Sequence, residues 1–192
     1  MAKKRVIVIT DGDQVARRAV ETAAKNVNAR CISVSGGRHP EEPPLTADQL
    51  VAMVLSAPAD PVVVMVDDGG KRGKGWGEKV LAELLEHREI EVMGVIAVAS
   101  HLAKGESVPV DSSVDRHGAV VAGSVDKEGQ PQGNGCLYGD TVGVLRKLKV
   151  PVVIGLGDPG KMDFHDDVQK GAPVTTKALQ TVMEKYAALK GG

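Results

Sequence analysis

Residues Val62 to Val66 form an unbroken apolar run, Val-Val-Val-Met-Val, that stops abruptly at Asp67-Asp68-Gly69-Gly70. A short apolar run bounded by turn residues predicts a strand buried on both faces. Such a strand belongs in the middle of a parallel sheet covered by helices. Ligands of these sheets bind beyond the carboxyl ends of the strands. Asp67 and Asp68 are predicted to stand at that edge, and the rest of the chain is placed relative to them.

Arg5 to Thr10 predicts a first buried strand, followed by Asp11-Gly12-Asp13. A helix then runs to about Val27, with Val15, Ala16, Ala19, Val20, Ala23, Ala24 and Val27 on one face. Arg30 to Ser35 predicts a second strand, ended by Gly36-Gly37; residues 38–45 hold three prolines and read as a loop. Thr46 and Gln49 have capping-box spacing and open a helix that turns Leu50, Val51, Val54 and Leu55 inward. After the central strand, the glycine-rich stretch Lys71 to Gly77 precedes a helix from about Gly77 to His87, with Val80, Leu81, Leu84 and Leu85 inward. Val92 to Ala99 predicts a fourth strand, ending at Ser100-His101.

The order βαβαβαβ predicts one α/β domain over residues 1–192, with a doubly wound, mainly parallel five-stranded sheet of Rossmann-like or Toprim-like type and helices on both faces. The middle of the chain breaks the rhythm. Val114-Asp-Arg-His-Gly118 and Val125-Asp-Lys-Glu-Gly129 repeat Val-Asp-x-x-Gly, which suits a type I turn with Asp first and Gly last. A small antiparallel excursion at about 108–130 is expected there. Asp140 is expected to cap a short helix carrying Val142, Leu145 and Leu148. Pro151 to Leu156 predicts the fifth strand, with proline at its first position. Thr175 or Thr176 is expected to cap a last helix with Ala178, Leu179, Val182, Met183, Tyr186 and Ala187 on its apolar face.

Composition narrows the class. The net charge of −1 offers no basic excess, so a phosphate-backbone partner is not expected and no nucleic acid is predicted. No apolar stretch reaches the ~20 residues of a membrane helix. Met1 to Arg5 resembles the start of a signal peptide but lacks the apolar region and cleavage site that would follow. The chain is therefore expected to be soluble and intracellular. Cys31 and Cys136 lack metal-ligand spacing and are expected to be free, buried thiols.

The strand ends concentrate the chemistry. They give Asp11 and Asp13, Ser35 and Gly36, Asp67 and Asp68, Ser100, and Asp158 with Lys161; together these make the candidate ligand site. With the first and third strands as neighbours, their acids approach across about 5 Å of strand spacing. Carboxylates that close repel unless a cation or protons intervene. Asp11, Asp13, Asp67 and Asp68 are thus candidate ligands for Mg²⁺ or Ca²⁺, with no other cofactor indicated. Asp at a strand end is equally the ordinary N-cap of the next helix. Toprim-type domains place one acid after the first strand and Asp-x-Asp after the third, whereas this chain has Asp11 and Asp-Asp-Gly-Gly. Phosphoacceptor receiver domains share the order Asp, Asp, Ser, Lys but have far shorter loops. The basic glycine-rich loop at 71–77 matches neither phosphate-binding fingerprint. The five histidines share no metal-ligand spacing, and no nucleophile elbow is present. In Asp158-Pro-Gly-Lys-Met-Asp163, Lys161 is expected to point back over the carboxylate edge.

Val8-Ile-Thr-Asp-Gly-Asp13, Arg30 to Gly37, Asp60 to Asp68, Gly94 to Ser100, Gly139-Asp-Thr-Val142 and Gly155-Leu-Gly-Asp-Pro-Gly-Lys-Met162 form a specific set. With that set the sequence resembles the stage V sporulation protein AE family of spore-forming Firmicutes over nearly its whole length. The resemblance implies a soluble sporulation and germination accessory protein. Its implied partners are the membrane proteins of the same operon, which move calcium dipicolinate in spores. It implies a spore or forespore cytoplasmic location, peripheral at the inner membrane, and no catalytic residues. The residues leave two alternatives open: a Mg²⁺-dependent phosphoryl or nucleotidyl-transfer enzyme of Toprim-like type, and a Ca²⁺- or dipicolinate-binding module. Homo-oligomerisation is also left open.

Overall fold

The computed structural model describes residues 2–35, 45–67, 76–100, 107–139, 142–146 and 148–192, with the backbone alone at Ser35, Asp67, Trp76, Glu78 and Val144. Gly36, Asp68, His39, His101, the loop at 38–44, the glycine-rich stretch 71–75 and the Asp140 cap lie outside the described residues. In chain order the elements are β1 (Lys4–Ile9), α1 (Gln14–Asn26), β2 (Arg30–Ser35), α2 (Ala47–Ser56), β3 (Val62–Asp67), α3 (Trp76–Glu86), β4 (Ile90–Val98), β5 (Ser107–Pro109), β6 (Ser112–Val114), β7 (Val120–Val121), β8 (Cys136–Tyr138), β9 (Val153–Leu156) and α4 (Pro173–Gly191). Short 3₁₀ turns occupy Gly143–Arg146 and Val168–Lys170.

The β-branched runs become the centre of the sheet because only there are both faces covered. The strand order is β2-β3-β1-β4-β9-β6-β7. β1 runs parallel to β3, with Ile9 opposite Met65, and parallel to β4 on its other side. Val62 to Val66 are fully buried or nearly so. Alternate residues of each strand feed two cores: α2 and α3 cover one face, α1 and α4 the other.

The predicted helices form, with narrower buried faces. Thr46 and Gln49 close the capping box of α2. Leu55 is 37 % exposed and Val15 45 % exposed, so neither belongs to the core as expected. Leu55 lies on the flank of the α2 stripe; Val15 sits in the first turn of α1, at the sheet's rim. Ala187 is exposed, because it falls off the stripe of α4 that buries Ala178, Val182 and Tyr186. Cys31 and Cys136 are free and only half-buried.

Two details differ from expectation. The antiparallel excursion forms on the mainly parallel sheet as expected, but it adds β6 and β7 to that sheet, which therefore has seven strands and not five. β6 pairs in parallel with β9 and so satisfies an edge that a five-stranded sheet would leave open. The fit depends on Gly155, where a Cβ would collide with Ser113 Oγ. β7 folds back antiparallel on β6, and β5 pairs with β8 in a separate two-stranded sheet. Both Val-Asp-x-x-Gly copies make the expected turn: Gly118 N donates to Asp115 O and Gly129 N to Asp126 O, each at 2.9 Å. The second correction concerns α4, which starts at Pro173 and is not capped by either threonine. Proline suits the first helical position because its missing N–H has no partner there.

Candidate functional site

β1 leaves the sheet at Thr10, and the three residues that follow turn sharply into α1. Asp11 Oδ1 accepts from Gly12 N at 2.6 Å and from Asp13 N at 3.1 Å, which fixes the turn. Asp13 Oδ1 accepts from Val15 N and Ala16 N, both at 2.8 Å, so Asp13 caps α1. These contacts occupy the donors that an α/β protein of this type would offer to a phosphate.

The second half of the site comes from the end of β9. Asp158-Pro159-Gly160-Lys161 forms a tight turn, closed by Lys161 N to Asp158 O at 3.2 Å. Gly160 has φ +77°, which a type II turn requires at its third position. A Cβ there would also press on Val15 O at 3.0 Å, so the turn packs directly against α1. This geometry returns Lys161 over the β1 end. Its Nζ lies 2.6 Å from Asp13 Oδ2 and 3.4 Å from Asp158 Oδ2.

Asp166 holds the turn from behind. It is fully buried and accepts four hydrogen bonds: Gly160 N at 2.7 Å, Val174 N at 2.8 Å, Thr175 N at 2.9 Å and Thr175 Oγ1 at 2.5 Å. One carboxylate therefore caps α4 from seven positions upstream of its first residue and ties it to the Lys161 turn. The sequence shows Asp166 only as one acid in a polar loop. The usable signal is Pro173, which marks the true helix start.

The electrostatics follow from this packing. Burial pushes the Asp11 carboxyl up to about 6, reinforced by the charges of Asp13 and Asp158 and opposed by its backbone donors. For Asp13, burial pushes upward, but the Lys161 ammonium and the α1 amides outweigh it and hold the group below the usual range. Burial works against the charge on Lys161, yet Asp13 and Asp158 raise it overall, so it remains a cation. Burial raises Asp166 against the pull of its four donors. A close set of acids thus balances itself: Lys161 supplies the positive charge and Asp11 takes up a proton readily. Within this rim Asp11 is the carboxyl that burial pushes up to about 6.

Of the predicted site residues, Asp11, Asp13, Asp158 and Lys161 come together. Ser100 lies beyond β4, the other neighbour of β1, with its N–H on Tyr138 O at 3.0 Å. The β1–β3 register runs from Val6↔Val62 to Ile9↔Met65; Asp67 closes β3 two residues further on, Asp11 follows the end of β1, and Ser35 pairs with Asp67 one strand further out. The side chains of Ser35 and Asp67, and all of Gly36 and Asp68, are beyond the described residues. Among the described residues no group of three or more His, Cys, Asp or Glu side chains is arranged to hold a metal ion.

A neighbouring feature was not visible in the sequence. Met162, Asp163 and Phe164 all take left-handed backbone angles, φ 52°, 51° and 64°. Buried Met162, an Arg116–Asp163 ion pair at 2.5 Å and Lys170 Nζ on Phe164 O at 2.7 Å hold this turn. His117 and His165 meet edge to face beside it, with ring centroids 4.8 Å apart.

Fold and rim together define a doubly wound α/β protein whose strand-end acids are neutralised by a lysine from the last strand. The family model for stage V sporulation protein AE1 matches residues 5–186, and the chain belongs to that family. It is a sporulation-related protein. No curated protein matches. A solved structure of a domain of unknown function from Bordetella bronchiseptica, with bound citrate and as a domain-swapped dimer, is similar over 92 % of this chain, with 16 % identity and a TM-score of 0.41. The chain spans 40 % of that protein's chain.

Proposed function

We propose that this chain is an accessory subunit that docks on the membrane proteins of its sporulation operon, which move calcium dipicolinate into the developing spore and out of it at germination. The family match over residues 5–186 carries this reading. Among the described residues no helix is long and apolar enough to cross a membrane, which suits a peripheral subunit. Co-purification with those membrane proteins in detergent, and flotation with liposomes that contain them, test it. Retention in both is expected. Absence of association in either format, with each protein folded, contradicts it.

A second reading makes the rim a Ca²⁺- or dipicolinate-binding module. The side-by-side, same-direction placement of β1 and β3 favours it, because Asp11 follows β1 and Asp67 closes β3 at the same edge of the sheet. The Mg²⁺-dependent phosphoryl-transfer reading gains less, since Asp13 already fills the α1 amides. Calorimetry with Ca²⁺, Mg²⁺ and dipicolinate separates these readings. Micromolar binding that Asp11→Asn weakens at least tenfold supports a rim site; unchanged binding removes it.

A further inference from the structure

We propose that the chain forms a two-fold dimer by antiparallel pairing of β2 with β2 of a second copy. The inference concerns the sheet's outer edge and stands apart from the docking reading. β2 ladders to β3 over the full run from Arg30↔Val62 to Ser35↔Asp67. Among the described residues, no strand pairs with its other edge. The opposite end of the sheet is blunted, because β7 has only two residues and turns back as a hairpin. Proteins protect edges with short strands, charges, prolines or bulges. β2 uses none of these after its first residue: Cys31-Ile-Ser-Val-Ser35 holds no charge, proline or glycine.

The strand is complementary to itself, which points to a second copy as the occupant. A two-fold axis normal to the sheet keeps each face on its own side, so a residue must oppose one of the same parity. With Ser33 opposite its own mate, the whole strand is used: Ile32 opposes Val34 and Cys31 opposes Ser35. Ile32 and Val34 share one face and one core with α2, so apolar residues meet apolar residues. The Ser33 hydroxyl is buried without a hydrogen-bond partner. At the axis two such hydroxyls stand with Cβ atoms about 5 Å apart, close enough for one to donate to the other. On α2, Met53 and Leu55 are 42 % and 37 % exposed and lie on the two flanks of its buried stripe. α3 packs beside α2, and a two-fold axis normal to the sheet would put both copies of α2 on the same face of the joined sheet.

The experiment uses the purified full chain, with no membrane protein present, so its outcome is independent of the docking reading. Light scattering and native mass spectrometry from micromolar to submillimolar concentration should give a dimer. Amide exchange across residues 30–35 should slow as concentration rises, while residues 120–121 stay unchanged. In a Cys31→Ser, Cys136→Ser background, Ser33→Cys should form a disulfide-linked dimer under mild oxidation. A monomer throughout overturns the proposal. So does a dimer whose β2 amides exchange at a concentration-independent rate, which also decides the matter if Ser33→Cys fails to fold.

Discussion

Lys161 Nζ lies 2.6 Å from Asp13 Oδ2, joining the end of the last parallel strand to the start of the first helix across 148 sequence positions. The contact answers a problem that the acidic rim poses. Asp11, Asp13 and Asp158 converge, and the ammonium group beside Asp13 and Asp158 offsets their repulsion.

Removing that cation should cost little stability. Lys161 and Asp13 are both nearly half exposed, so water and salt screen the pair. Lys161→Met is expected to lower unfolding free energy by about 1 kcal/mol or less, read from urea midpoints, with the difference shrinking further in high salt. A loss several times larger would mean that Lys161 holds the fold and not the charge balance.

Asp166 should behave in the opposite way. Its removal strands four donors inside the protein, and a single orphaned buried donor costs about 1–3 kcal/mol. Asp166→Ala is expected to destabilise by at least about 3 kcal/mol, and Asp166→Asn by less, since one oxygen remains to accept. Chemical denaturation of both variants checks the order.

The Asp11 carboxyl makes a signed prediction for pH. Its folded value of about 6 lies above the ordinary 3.8, so the native state binds this proton more tightly than the unfolded chain. The stability it contributes is present below pH 3.8 and is lost as pH rises through about 6. The shift corresponds to at most about 3 kcal/mol. Asp11→Asn should therefore stabilise the protein at pH 7 relative to wild type, with the gap closing towards pH 4. A gap that widens on acidification contradicts the assignment.

Glycine 155 and the left-handed turn give a contrasting pair. Gly155→Ala drives a methyl group into Ser113 and Leu137 and should cost about 1–3 kcal/mol by overpacking. Phe164→Gly should be neutral or stabilising by up to about 1 kcal/mol, because Phe164 is 75 % exposed and its backbone is left-handed. Thermal unfolding of the two variants checks both signs.

The buried strands were legible because valine-rich runs fit only a doubly covered sheet, and the β1–β3 adjacency followed from the winding order. The return of Lys161 over the rim was also visible, in Pro159-Gly160. Three features were hidden for physical reasons. Ser112-Ser113-Val114 is too short and polar to announce a strand, and its place depends on the missing side chain of Gly155. Asp166 acts through tertiary contact, seven residues ahead of the helix it caps. The Met162–Phe164 turn carries no glycine, so its backbone angles are imposed by packing and ion pairs around it and not by local preference.

The most direct measurement is the titration of the Asp11 carboxyl by carbon NMR, in wild type and in Asp13→Asn, which keeps a competent helix cap. A converging, partly buried rim predicts a midpoint near 6 in wild type and a lower one in the variant, still above 3.8 because burial is the larger cause. A wild-type midpoint near 3.8, unmoved by the substitution, would contradict it.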